Sequence, residues 1–362
     1  MGIIRKALTS KPVESLTSPN TIDHYLEQIH PMMAAGNVRA RVVEVRRETG
    51  EASTVVMRPN GAWKGFRPGQ HVQFGVEVDG TRRIRVFSVS SSQAQKGRTF
   101  SVSVKAHPDG YVSQFLHQQL KPGTVVYLSQ AEGEFVLPRE VPGSLLLASG
   151  GSGITPVMSM LRTLRDTGHR GEVTFLHYAR SRDDEMFTEE LDQLAEVPNF
   201  RVVRVYTRQP VEGAELEGRF HVDHLKHLGI DPVDTLTFVC GPAGLIASVR
   251  DTYGELGAAD QLRQEYFKVP SVDVNAADAT GTLMFDDTAI EAPNSGATIL
   301  EQAEAAGLKP EFGCRMGVCN TCAIKKNTGA VRHVVTGEIC ADTDETIKIC
   351  VQVPIGDVAV AL

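Results

Sequence analysis

The stretch 313-GCRMGVCNTC-322 sets Cys314, Cys319 and Cys322 within nine positions of one another. Thiols held this close converge on one centre. The C-x4-C-x2-C spacing is that of a [2Fe–2S] loop, which needs one further cysteine well downstream. Cys340 and Cys350 are the candidates. Cys350 is favoured because it lies in the β-rich run IKICVQVP, which can pack against the loop, whereas Cys340 follows TGEI in a turn-like stretch. Gly313 and Gly317 let backbone N–H groups approach the sulfurs closely. A tetrahedral zinc site on the same thiolates is the alternative, although zinc ligands usually come as two short pairs and the four-residue gap fits that badly. A disulfide framework suits an exported chain, and no export signal is evident here.

A chain of 362 residues, 41% hydrophobic and 22% charged, implies two or three soluble globular domains. No run approaches the ~18 apolar residues of a membrane span. The opening MGIIRKALTSKPVESL lacks the apolar core of a secretory signal, and Lys6 stands where a myristoylation motif has Ser or Thr. A cytoplasmic protein is the expectation. The net charge of −7 is concentrated after Ser271, where thirteen acidic residues face six basic ones. That balance argues against a nucleic-acid partner. It describes either a docking face for a basic protein or a solvated acidic surface.

The rhythm of the chain changes three times. Residues 1–37 are polar, with one helical candidate from Thr21 to Ile29 that Pro31 stops. Over 38–140, short β-branched runs (RARVVEV, STVVMR, HVQFGVEV, RRIRVFSVS, TFSVSVKA, TVVYLSQ) alternate with turns and predict an antiparallel β-barrel, interrupted by the helix-like YVSQFLHQQL. Over 141–268, strands alternate with helices, as in a parallel, doubly wound α/β sheet. Over 269–362, short strands, the helical ATILEQAEAAG and the cysteine loop predict a compact α+β unit.

The second region carries Gly151-Ser-Gly153-Ile-Thr155-Pro156 between a strand and a helix, a G-x-G-x-x-P variant of the dinucleotide turn. Thr155 is expected to cap that helix and Pro156 to fill its first position, leaving N–H groups and the positive dipole end for a pyrophosphate. After the next strand come Arg180, Ser181 and Arg182, with no acidic residue for a ribose 2′-hydroxyl. Arginines there suit a 2′-phosphate and so NADPH, with NADH possible; the plainer alternative is that they are exposed or pair with Asp183 and Asp184. Cys240-Gly241-Pro242 puts a thiol at the carboxyl edge of the last strand. In the barrel, Arg85 and Phe87 share one strand face, and Gly110 and Ser113 mark a helix start. Together these would suit a stacked flavin with its phosphates on the cation and the helix, although a core aromatic and a surface arginine would look the same.

Taken together these motifs resemble the ferredoxin–NADP reductase superfamily, in particular reductases that end in a plant-type ferredoxin domain of β-grasp fold. The family's flavin motif is similar to Arg85-Val86-Phe87-Ser88, with phenylalanine for the usual tyrosine. The strand end Val104-Lys105 and the turn Gly110-Tyr-Val112-Ser113 resemble its flavin-phosphate segment. Its nucleotide motifs resemble Gly151–Pro156 and Cys240-Gly241-Pro242, and Glu265-Tyr-Phe267 is similar to the segment that closes the nucleotide domain. The resemblance implies FAD, NADPH and a [2Fe–2S] cluster on Cys314, Cys319, Cys322 and Cys350. It also implies catalytic roles for Ser88, beside the reacting flavin nitrogen, and for Cys240, beside the nicotinamide.

The segments PNTIDHYLEQIHPMM and FRPGQHVQFGVEVDGTRRIRVFSVSSS further resemble bacterial reductases that serve membrane acyl-CoA Δ9 desaturases. The implied function is electron transfer from NADPH through FAD and the cluster to an external di-iron desaturase or monooxygenase, with possible peripheral contact with a membrane. The alternatives are the reductase of a soluble ring-hydroxylating or CoA-ester oxygenase, or a redox-sensing subunit without turnover.

Overall fold

The computed structural model describes residues 17, 20–78, 81–108, 110–209, 214–267, 279–313, 315, 317, 320–334 and 336–362. The chain forms two compact units, Met1–Glu265 and Tyr266–Leu362. Barrel and nucleotide sheet therefore share one unit. Among the described residues no helix is long and apolar enough to cross a membrane.

From Ile22 onward the first unit forms α1 (Ile22–Ile29), β1 (Val38–Thr49), β2 (Ala52–Pro59), β3 (His71–Val78), β4 (Thr81–Ser88), β5 (Phe100–Lys105), α2 (Tyr111–Gln118) and β6 (Val125–Leu128). The six strands run in the order β4-β3-β6-β1-β2-β5, and an antiparallel bridge from Val89 to Val102 joins the outer strands into a barrel. Alternation fixes its interior: Val55, Met57, Val72, Phe74, Phe100 and Val102 are buried. Buried Ser90 bonds Ser101 and Ser103, so the hydroxyls on the second face of β5 satisfy one another. The Asp23 carboxylate accepts backbone N–H groups of Ala35, Gly36 and Asn37, and Glu27 pairs with buried Arg39 at 2.8 Å. These contacts fasten the leading helix to the first strand.

The chain then forms β7 (Ser144–Gly150), α3 (Ile154–Asp166), β8 (Glu172–Ala179), α4 (Thr188–Ala195), β9 (Phe200–Tyr206), α5 (Val222–Leu228), β10 (Leu236–Gly241), α6 (Ala243–Glu255) and β11 (Leu262–Tyr266). The sheet order is β11-β10-β7-β8-β9, with β10, β7, β8 and β9 parallel. Successive crossovers leave β7 in opposite directions, which makes the carboxyl ends of β7 and β10 the switch point where such sheets take ligands. Ser159 and Arg162 on α3 donate to the carbonyls of Ser91 and Ser90, tying this sheet to the barrel.

The second unit contains β12 (Thr282–Phe285), β13 (Ile290–Pro293), α7 (Ile299–Ala305), β14 (Ala323–His333), β15 (Ile339–Cys340), β16 (Glu345–Lys348) and β17 (Gln352–Val360). A mixed sheet, β13-β12-β17-β14-β15 with β16 also on β14, packs on α7 through Leu283, Phe285, Ile299, Leu300 and Val358. Thr298 and Glu301 close a capping box at the start of that helix.

Candidate functional site

Strand β4 carries the flavin motif. Pairing with β3 sets Ser88 opposite His71, Phe87 opposite Val72 and Arg85 opposite Phe74. Ser88 is buried, while Arg85 is exposed and its guanidinium donates to the Ile84 carbonyl at 2.8 Å. Half-buried Phe87 meets Phe74 edge to face at 5.9 Å, so its ring is steadied by the barrel core. Val86 is half-buried and Val104 lies inside the barrel. Lys105 closes β5 and reaches Asp184 at 3.3 Å and Glu51 at 3.5 Å. Gly110 is the N-cap of α2. The Ser113 hydroxyl donates to the Gly110 carbonyl and accepts the His107 N–H, and a Cβ on Gly110 would stand 2.3 Å from that oxygen. Val112 faces the barrel core. Ser113 thus shapes the turn that opens α2.

The glycine turn differs from its sequence reading in one respect. A 3-10 turn over Gly151–Gly153 runs directly into α3, which begins at Ile154 with Gly153 as N-cap. Thr155 therefore sits inside the helix and donates to the Ser152 carbonyl, and Pro156 occupies the third helical position rather than the first. The glycines have steric reasons to be there. Gly151 adopts φ 53°, and a Cβ on Gly153 would lie 2.2 Å from the Cys240 carbonyl oxygen. Strand β10 and the turn thus meet backbone to backbone, with Gly241 and Pro242 leading away.

A cleft of about 640 Å³ opens at this switch point, bordered by Gly151, Pro242, Lys105, Arg180, Arg208 and Arg219. The two arginines singled out in the sequence are engaged. Arg180 pairs with Asp184 at 2.6 Å and Glu51 at 3.2 Å, Ser181 also donates to Asp184, and Arg182 faces Asp192 outside the cleft. Asp184 is held below the usual carboxylate range by Arg180 and Lys105, against the opposing effect of its burial. Arg208 and Arg219 form no ion pair among the described residues. They follow β9 and the loop after it, where no motif marks them.

At the inner end of the site, Cys240 is fully buried, and burial, then the charge of Glu265, push its thiol well above the ordinary range. Burial also raises the Glu265 carboxyl, opposed by His71, whose Nδ1 lies 3.7 Å from Glu265 Oε1. Glu265 Oε2 has no hydrogen-bond partner among the described residues. Ser88, His71, Glu265 and Cys240 therefore form one buried polar constellation drawn from both sheets. Sequence reasoning missed His71, whose role depends on strand pairing. Phe267, just past β11, is half-buried.

In the second unit, Cys322 and Cys350 are buried with sulfurs 3.1 Å apart, too far for an S–S bond and suited to two ligands of one centre. Cys314 and Cys319 lie outside the described residues. Cys340 sits on β15, and its thiol donates to Glu345 at 2.7 Å. Gly317, at φ 76°, lies so close to Val351 that a Cβ would come within 2.9 Å of its side chain. The loop is thereby pressed onto the residue after Cys350. Two buried cysteine sulfurs this close are compatible with two ligands of an iron–sulfur cluster.

Three family models match the chain. They are an oxidoreductase FAD-binding domain over residues 41–137, an oxidoreductase NAD-binding domain over 147–251, and a 2Fe-2S iron-sulfur cluster binding domain over 284–351. An NADPH oxidoreductase of Mycobacterium tuberculosis is 34% identical, across 94% of this chain and 89% of its own. A glycine betaine monooxygenase reductase subunit of Chromohalobacter salexigens is 31% identical, across 90% and 95% respectively. Among solved structures, phthalate dioxygenase reductase superposes with a TM-score of 0.58 at 21% identity, across 90% of this chain and 98% of that one, a likeness of fold.

Proposed function

The chain belongs to the ferredoxin–NADP reductase superfamily, in the branch that ends in a [2Fe–2S] ferredoxin domain, and we propose that it is the NADPH-dependent reductase of an oxygen-activating iron enzyme. Bound together, the cofactors supply hydride uptake from the nicotinamide at FAD and single-electron release through the cluster. The residues bind and align them. The turn from Gly151 to Thr155 presents N–H groups to a pyrophosphate with Pro156 continuing the helix, Arg85, Val104, Lys105, Gly110, Val112 and Ser113 hold the flavin, and Cys314, Cys319, Cys322 and Cys350 hold the iron.

The observation that carries this reading is the convergence of Ser88, His71, Glu265 and Cys240. The end of the flavin strand and the switch point of the nucleotide sheet meet there. Cys240, kept protonated by burial, gives a neutral soft surface for a nicotinamide ring, and Ser88 offers a hydroxyl to the flavin edge. Preference for NADPH rests on Arg208 and Arg219, cations at the cleft that form no ion pair among the described residues. The acceptor proposed first is a membrane di-iron desaturase, on the sequence resemblance. A soluble monooxygenase is the second reading, favoured by the betaine relative.

The electron order is tested by assaying ferricyanide and cytochrome c side by side in wild type and Cys350→Ser. Transfer in the proposed order keeps the ferricyanide rate, taken from the flavin, and loses the cytochrome c rate. Equal rates of cytochrome c reduction in both proteins would remove the cluster from the path. The acceptor is tested by NADPH-driven stearoyl-CoA desaturation in vesicles carrying a Δ9 desaturase, against NADPH-driven turnover of a soluble monooxygenase.

A further inference from the structure

We infer that Lys348 tunes the cluster, its ammonium resting on the cluster loop and making the bound [2Fe–2S] group easier to reduce. The inference rests on the four-cysteine ligand set proposed above. Lys348 ends β16, pairs across to Ala323 beside Cys322, and stands two residues before Cys350. Its half-buried side chain turns back onto the loop, where Nζ donates to the Gly317 carbonyl at 2.5 Å. Gly317 lies between Cys314 and Cys319. A single cation thus touches the loop that carries three ligands and belongs to the strand that leads to the fourth.

In this acidic segment, Arg315 pairs with Glu304 and Lys325 with Asp344, while buried Lys326 bonds the carbonyls of Gly329 and Asp342. Lys348 forms no ion pair among the described residues, although carboxylates outnumber cations two to one. Its field reaches its surroundings: His333 is lowered mainly by burial, with Lys348 adding to the effect and Glu338 opposing it. Reduction brings one electron from the flavin into the loop and no proton to Lys348, so the site gains one negative charge beside a fixed positive one. Cluster potentials follow local charge and hydrogen bonding, and an ammonium here favours the reduced form.

The test is a spectroelectrochemical titration of the full-length holoprotein as wild type, Lys348→Gln, Lys348→Met and Lys348→Arg. Gln keeps a donor for the Gly317 carbonyl without the charge, and Arg keeps the charge. We expect the equilibrium for cluster reduction to weaken about tenfold in Gln and Met, ~59 mV for a one-electron couple, and to hold in Arg. An unchanged potential in Gln or Met with intact cluster bands overturns the inference. So does loss of the cluster from both neutral variants, which would make Lys348 a structural peg. Wild-type protein without [2Fe–2S] bands would instead refute the ligand set on which the inference depends.

Discussion

If Arg208 and Arg219 hold a 2′-phosphate, removing Arg208 should cut the preference for NADPH over NADH about tenfold and removing both should nearly abolish it. Four cations approach the cleft, but they are not equivalent. Arg180 and Lys105 share Asp184 and Glu51, so two positive charges meet two negative ones and little net field remains. Arg208 and Arg219 form no ion pair among the described residues, which leaves their charge for a ligand. A ribose 2′-phosphate carries nearly two negative charges, and a charge-assisted hydrogen bond to it contributes roughly 1.5–3 kcal/mol. Both arginines are exposed, which favours the lower end of that range, about 1.5 kcal/mol or roughly tenfold in affinity each. Arg208→Ala should therefore raise KM for NADPH about tenfold and leave KM for NADH and both kcat values nearly unchanged, with ferricyanide as acceptor. The double variant with Arg219→Ala should approach a hundredfold. Arg180→Ala should do less, since it also frees Asp184 and Glu51 to repel the phosphate only at longer range. Equal losses with NADPH and NADH in Arg208→Ala, or a larger selective loss in Arg180→Ala, would refute this division of labour.

Three further outcomes follow from the packing. Cys350→Ser should abolish the visible cluster spectrum while Cys340→Ser, whose thiol bonds Glu345 on another strand, leaves it intact; the reverse would reassign the fourth ligand. Gly153→Ala puts a methyl 2.2 Å from the Cys240 carbonyl, and parting the turn from β10 should cut kcat/KM for NADPH at least tenfold with the flavin still bound, as fluorescence would report. His177 is fully buried, and desolvation, then Arg204, depress it to about 3. The folded state therefore holds fewer protons than the unfolded chain between pH 6.5 and 3. Stability should fall by about 1.4 kcal/mol per pH unit as pH drops through that window, and denaturant titrations should show the slope reduced in His177→Gln.

Local chemistry was the legible part of this sequence. Strand runs such as STVVMR and TLTFVC announce themselves by β-branching, and a cysteine spacing or a glycine turn is a feature of consecutive residues. What depends on pairing was hidden. His71 joins Ser88 and Glu265 only because β3 lies against β4 and faces the edge of the nucleotide sheet. Arg208 and Arg219 gain meaning by lying beside a cleft with no ion pair among the described residues, and Arg180 loses some of its own because Glu51, far away in sequence, folds onto it. The start of α3 is misplaced in the sequence by residues that resemble a cap: Thr155-Pro156 is a good helix opening, but the preceding 3-10 turn begins the winding earlier.

Electrons are expected to run from nucleotide through flavin to cluster. The most direct test is an anaerobic titration of the purified holoprotein with NADPH and then with NADH, following the visible spectrum. Bleaching of the flavin band followed by the cluster bands, faster with NADPH, is the expected result. A flavin that bleaches while the cluster stays oxidised, at any excess of either nucleotide, would contradict it.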